Sequence, residues 1–102
     1  MAEVVFGKVS EIEEGKLNVK RFGRKKIAVV FYENQYYAFK DACTHVEVPL
    51  SEGKLCGKII ECTRHGAKFD ITNGQVLSPP AITNLETYTV RLENDEIKIE
   101  VI

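Results

Sequence analysis

The chain has 102 residues, enough for one domain with its own core and too few for a catalytic domain beside it. Lys and Arg total 14 against 15 for Asp and Glu, a formal net charge of −1, so nucleic acid is disfavoured as a partner. The start, Met1-Ala2-Glu3-Val4-Val5-Phe6, lacks the basic stretch and long apolar run of an export signal, and no segment approaches the roughly 20 apolar residues of a membrane span, so the sequence reads as a soluble, cytoplasmic protein without a membrane partner.

Taken in chain order, short runs rich in branched and aromatic residues predict strands at Val4-Val5-Phe6, Leu17-Asn18-Val19, Lys26 to Tyr32, Tyr36 to Phe39 and Lys58 to Glu61. Turn signals stand around them: Glu13-Glu14-Gly15, Phe22-Gly23-Arg24, Glu33-Asn34-Gln35, Asn73-Gly74 and Glu93-Asn94-Asp95. Glu96 to Val101 alternates charged and apolar side chains, the pattern of a strand with one wet and one buried face, and should pair with Tyr88-Thr89-Val90-Arg91-Leu92 across Asn94-Asp95. The helical candidates, around Ser10 to Glu14 and Pro80 to Leu85, are too short to bury a helical stripe. The predicted fold is all-β, an antiparallel sandwich or small barrel, in a single domain spanning residues 1–102.

The chemistry concentrates in two short segments, Cys43-Thr44-His45 and Cys62-Thr63-Arg64-His65, which use both histidines and two of the three cysteines. An odd number of thiols, two of them spaced for metal, argues against a disulfide framework of the secreted kind. Cys56 has no histidine close behind it and is expected to be a small buried apolar side chain in or beside a turn. Each segment carries one thiol and one imidazole and follows a predicted strand. A zinc finger of the common kind would instead space its ligands Cys-x(2–4)-Cys and His-x(3–5)-His.

Cys-x-His followed by Cys-x-x-His resembles the Rieske family. Pro49-Leu50-Ser51-Glu52-Gly53, His65-Gly66-Ala67-Lys68-Phe69-Asp70, Thr72-Asn73-Gly74 and Ser78-Pro79-Pro80-Ala81 extend the likeness, in order and spacing, to Rieske-type ferredoxins that serve ring-hydroxylating dioxygenases. The resemblance implies one [2Fe-2S] cluster per chain, with Cys43 and Cys62 on one iron and His45 and His65 on the other. It implies a cluster-binding subdomain at about residues 40–80, set on a base of residues 1–39 and 81–102. It also implies a one-electron carrier that takes electrons from a reductase and passes them to a terminal oxygenase or other redox protein. No catalytic residue is expected, because oxygen activation needs a mononuclear iron with open positions and both histidines are committed.

Two alternatives remain at this level: an electron-transfer subunit of another reductase or respiratory complex, and a structural zinc domain acting as an interaction module. Within the resemblance, the high-potential Rieske proteins of cytochrome bc complexes carry a serine and a tyrosine where this chain has Ala67 and Phe69, and two further cysteines where it has Val48 and Arg64. Fewer hydroxyl donors to the sulfurs imply the lower-potential branch. Gly66 is expected to permit a tight turn, Pro79-Pro80 to form a flap, and Phe69 to pack beneath the ligand loops. Lys40, Asp41, Glu47, Glu52, Lys54, Arg64 and Lys68 read as mostly solvated surface, with Arg64 the candidate for partner steering or for lowering the cost of the reduced cluster.

Overall fold

The computed structural model describes residues 3–43, 48–63, 66–79 and 83–101. The described residues form eleven strands: β1 (Glu3–Lys8), β2 (Leu17–Phe22), β3 (Lys25–Tyr32), β4 (Gln35–Lys40), β5 (Lys54–Cys56), β6 (Ile59–Glu61), β7 (Lys68–Asp70), β8 (Val76–Ser78), β9 (Thr87–Tyr88), β10 (Val90–Glu93) and β11 (Glu96–Glu100). Two single 3-10 turns, Val9–Glu11 and Leu50–Glu52, are the only helical segments among the described residues. The all-β antiparallel expectation is met. The first helical candidate shrinks to the turn at Val9–Glu11. Of the second, Pro80 to Ile82 lie outside the described residues, and residues 83–85 are not helical. No helix among the described residues is long and apolar enough to cross a membrane.

The strands form three sheets. A base sheet has the order β1-β11-β10, a central sheet β2-β3-β4-β9, and a distal sheet β5-β6-β7-β8. β3 explains how they stack. Ile27, Ala28, Val29 and Val30 are all buried, so this strand shows no alternation of wet and dry residues. Its odd positions, Ile27 and Val29, join Phe6, Ala38, Ile97 and Ile99 in a core against the base sheet. Its even positions, Ala28 and Val30, join Phe39, Ile60 and Phe69 in a second core against the distal sheet. A strand covered on both faces reads as a continuous apolar run, as this one does.

Turn chemistry fixes the hairpins. Glu33-Asn34 joins β3 to β4 and Asn94-Asp95 joins β10 to β11, and all four residues have positive φ, as a two-residue turn matching strand twist requires. The run from Tyr88 to Leu92 does not form one strand. Thr87 and Tyr88 pair with Phe39 and Ala38 in the central sheet, whereas Val90 to Glu93 pair with Ile99 to Glu96 in the base sheet. The chain therefore changes sheets at Thr89, whose carbonyl accepts the Glu100 N–H at 3.0 Å. That crossing joins the two sheets at a corner, a feature of sandwiches and barrels.

Candidate functional site

Cys43 lies three residues beyond the end of β4, and Cys62 immediately follows β6. Each cysteine closes a loop through its own backbone. The Cys43 N–H donates to the Val48 carbonyl at 2.9 Å, and the Cys62 N–H to the Ala67 carbonyl at 2.7 Å. Both bonds span five residues, so the two loops have the same closing geometry. By sequence, His45 falls inside the first loop and His65 inside the second. Both histidines, with Thr44, Val46, Glu47, Arg64 and Pro80 to Ile82, lie outside the described residues.

The two cysteines share one core, with Leu50, Ile60, Ala67, Phe69, Ile71 and Leu85 around them. Cys43 is 3% exposed and Cys62 2%. Phe69, fully buried in the same core, packs as expected beside the loops. Gly66 has φ +74°, a conformation that turns the second loop tightly and that a side chain rarely adopts. Cys56 departs from expectation. It is exposed at the end of β5, because Gly57 turns the chain there and leaves the cysteine on the solvent side. None of the three cysteines is in a disulfide.

Asp41 is the second departure: it reads from sequence as solvated surface, yet its side chain is fully buried. One carboxylate oxygen accepts the Ser51 N–H and the other the Ser51 hydroxyl, each at 2.7 Å. The Lys26 ammonium stands 3.5 Å away, and the Asp41 N–H donates to the Lys26 carbonyl at 2.8 Å. The carboxylate thus clasps the two ends of the first loop, residues 42–50, to each other and to β3. The sequence hint is the short turn Leu50-Ser51-Glu52, whose first N–H groups need an acceptor that the turn itself cannot supply.

The distal sheet has its own clasp. Asp70 accepts the Thr72 N–H at 2.9 Å and faces Lys58 at 3.5 Å. Burial pushes this carboxyl up, but the Thr72 hydroxyl and N–H and the Lys58 ammonium more than reverse it and hold it below the usual carboxylate range. Gly74 then takes the chain back toward the central sheet, with the Leu85 N–H donating to its carbonyl at 2.6 Å and the Lys40 N–H to Glu86 at 2.9 Å. Pro79, exposed, begins the proposed flap.

This arrangement has close counterparts. A family model described as the Rieske [2Fe-2S] domain matches residues 2–89. The ferredoxin component of the naphthalene 1,2-dioxygenase system of Pseudomonas putida is 35% identical over 92 residues, 90% of this chain and 88% of that protein. The biphenyl dioxygenase ferredoxin subunit of Pseudomonas sp. (strain KKS102) is 33% identical over 93 residues, covering 90% of this chain and 85% of that one. Among solved structures, a chain in a complex of reduced oxygenase and oxidized ferredoxin in carbazole 1,9a-dioxygenase has a TM-score of 0.87 at 32% identity, covering 95% of this chain and 91% of its own. The ferredoxin of Sphingomonas yanoikuyae B1 has a TM-score of 0.89 at 25% identity and covers 99% of this chain and 100% of its own. These likenesses displace the structural-zinc reading. The chain belongs to the Rieske [2Fe-2S] family, as an electron-carrying ferredoxin with a [2Fe-2S] cluster and not as an enzyme in its own right.

Proposed function

We propose that Cys43 and Cys62 hold one iron and His45 and His65 the other, and that the protein carries single electrons from a reductase to a terminal oxygenase in the cytoplasm. The observation that carries the ligand assignment is the partition of the cysteines. Cys43 and Cys62 share a dry core beside the necks of two matching loops, and Cys56 stands outside it in solvent. Two ionised thiols in such a core are costly unless a metal neutralises them, which suits soft thiolate ligation. A bound [2Fe-2S] cluster supplies one reversible electron equivalent at a time.

The chain's own residues do the rest. Leu50, Ile60, Phe69 and Leu85 exclude water from the thiol side. The backbone bonds from Cys43 and Cys62 fix where each loop starts, and the Asp41 clasp anchors the first loop. The distal sheet, residues 54–78, supports a division into a cluster-binding subdomain at about residues 40–80 and a base formed by residues 1–39 and 81–102. The terminal-oxygenase partner is favoured by the relatives, which are named as dioxygenase ferredoxins, and by a structural counterpart complexed with an oxygenase.

Ligand assignment is tested by purifying Cys43→Ser, Cys62→Ser, His45→Ala and His65→Ala beside Cys56→Ser. Each of the first four should lose the visible absorption and low-temperature EPR signal of the reduced protein, while Cys56→Ser retains both. Iron kept after either histidine is removed would overturn the ligand set. The oxygenase assignment is tested by reconstituting substrate turnover with a reductase and candidate oxygenases, and transfer only to a respiratory complex would replace it.

The donor inventory makes a separate prediction. Ala67 and Phe69 are fully buried in the core that holds both cysteines, and neither side chain offers a hydroxyl. Ala67→Ser and Phe69→Tyr each supply a donor there and should raise the midpoint potential measured by spectroelectrochemistry. A potential unchanged in both variants would remove hydroxyl donors from the explanation of the low-potential branch.

A further inference from the structure

Beside the first loop, the tip of the β2–β3 hairpin and the end of β4 enclose a groove of about 160 Å³, lined by Arg24, Lys26, Lys40, Ala42, Val48 and Pro49. Among the described residues its only lining carboxylate is Asp41, which is buried and engaged with Ser51 and Lys26. Arg24 and Lys40 are exposed and have no carboxylate partner among the described residues. Arg21, directly opposite Lys26 in the β2–β3 register, adds a further exposed cation at the same end.

The opposite end of these strands is acidic. Glu33 follows β3, and the Glu14 carboxylate accepts its N–H at 3.3 Å, with Glu13 next in the chain. From Lys25 to Glu33 the strand runs roughly 25 Å at about 3.3 Å per residue. Asp41 and Glu86 at the cationic end face Lys26 and Lys25, and Lys16 lies at the acidic end, so the charge separation along the central sheet is partial, with its positive end against the loop that carries Cys43. Such separated charge orients an approaching partner more than it adds to affinity.

We propose that this groove receives carboxylate side chains from an acidic face of a redox partner protein, and so sets which side of the first loop that partner approaches. The inference rests on the electron-carrier reading, because the groove matters to transfer only if the adjacent Cys43 loop holds the redox centre. The groove has room for one or two carboxylates between the Arg24 and Lys40 side chains, and its apolar wall of Ala42, Val48 and Pro49 suits the carbon stem of a glutamate. A nucleic acid fits poorly, since the net charge is −1 and cations away from the groove stand among carboxylates, as Lys58 does with Asp70 and Arg91 with Glu3.

The test uses fluorescein-labelled hexaglutamate and the purified holoprotein, read by anisotropy at low ionic strength. The double variant Arg24→Glu/Lys40→Glu should bind the peptide about ten-fold more weakly than the unaltered protein, whereas Lys8→Glu/Lys16→Glu, with the same change in net charge, should lose less than about two-fold. Equal losses would reduce the effect to net charge and overturn the proposal. Displacement of the peptide by an equal concentration of inorganic phosphate would also overturn it, in favour of a free-anion site. In stopped-flow oxidation of the reduced protein, each acceptor takes one electron. The Arg24→Glu/Lys40→Glu variant should slow oxidation by anionic ferricyanide and speed that by cationic hexaammineruthenium(III). Rates that shift equally in the Lys8→Glu/Lys16→Glu variant would deny the groove its role. A preparation without visible absorption would instead defeat the electron-carrier reading, and the anisotropy arm would still judge the groove by itself.

Discussion

Gly53→Ala is expected to be strongly destabilising. A Cβ at this position would sit 2.0 Å from the Glu61 carbonyl oxygen and 3.0 Å from that of Leu50, both backbone atoms that cannot swing aside like a side chain. The Gly53 φ of −87° is open to any residue, so the demand for glycine is one of space alone. Relief requires either parting β5 from β6, where Lys54 faces Glu61, or lifting the Leu50–Glu52 turn, whose Leu50 is buried in the core. Either movement displaces the residue before Cys62 or the turn gripped by Asp41. Overpacking of this severity should cost more than about 2 kcal/mol by urea denaturation and should lower the yield of coloured protein. Gly23→Ala is the control: nothing lies within 4 Å of its Cβ, but its φ is +64°. That change should cost only about 1 kcal/mol, the conformational strain alone. Equal losses at both positions would mean that the close approach at Gly53 is relieved by movement that costs little.

The contrast between these two glycines shows what was legible in the sequence and what was not. Gly23 stands in a turn signal between two apolar runs, so its role can be read locally. Gly53 is explained only by a carbonyl from β6, eight residues further along the chain. The strands of the base and central sheets are long enough for composition and period to register, and Glu96 to Val101 announces its two faces outright. The distal strands β5, β7 and β8 have three residues each, too few for a period of two to be distinguished from chance. Tyr88 to Leu92 reads as one strand because nothing in those side chains marks Thr89 as the point where the backbone changes sheets. Cys56 lies beside a turn as expected but is exposed rather than buried, since a small thiol before glycine is compatible with either face of a hairpin and the register of β5 decides between them.

The same logic separates the proposed ligands from the group that anchors the first loop. Cys43, His45, Cys62 and His65 stand out because so few residue types can bind metal and their spacing is compact, whereas an aspartate among mixed surface charges looks ordinary. Only packing distinguishes Asp41 from Glu52 or Lys54. Its burial depends on the turn at Leu50–Glu52 folding back onto the end of β4, a contact between residues ten apart. Sequence can therefore name the atoms that hold a cofactor more readily than the atoms that hold the loop.

Removal of that anchor should be felt in stability first. Asp41→Ala leaves the Ser51 N–H and hydroxyl without their acceptors and the Lys26 ammonium without its counter-ion. The Lys26 side chain is 39% exposed, so water recovers much of the ion pair, and the larger loss comes from the two short hydrogen bonds to a buried carboxylate. Together these changes should cost about 2–4 kcal/mol, or roughly 10–20 °C in Tm for a domain of this size. Asp41→Asn retains one carbonyl acceptor, and the Ser51 hydroxyl can rotate to accept from the new amide, so its cost should be about half as great. Ser51→Ala loses the hydroxyl bond but keeps the N–H bond, and should cost about 1 kcal/mol. In a double-mutant cycle, Asp41→Ala and Ser51→Ala together should destabilise less than the sum of the two, by at least about 0.5 kcal/mol, because they delete a shared contact. Thermal unfolding of the four proteins measures this directly. Additive losses, or an Asp41→Ala cost below about 0.5 kcal/mol, would show that the carboxylate is an onlooker and that the Cys43 loop is held by its own backbone bond to Val48.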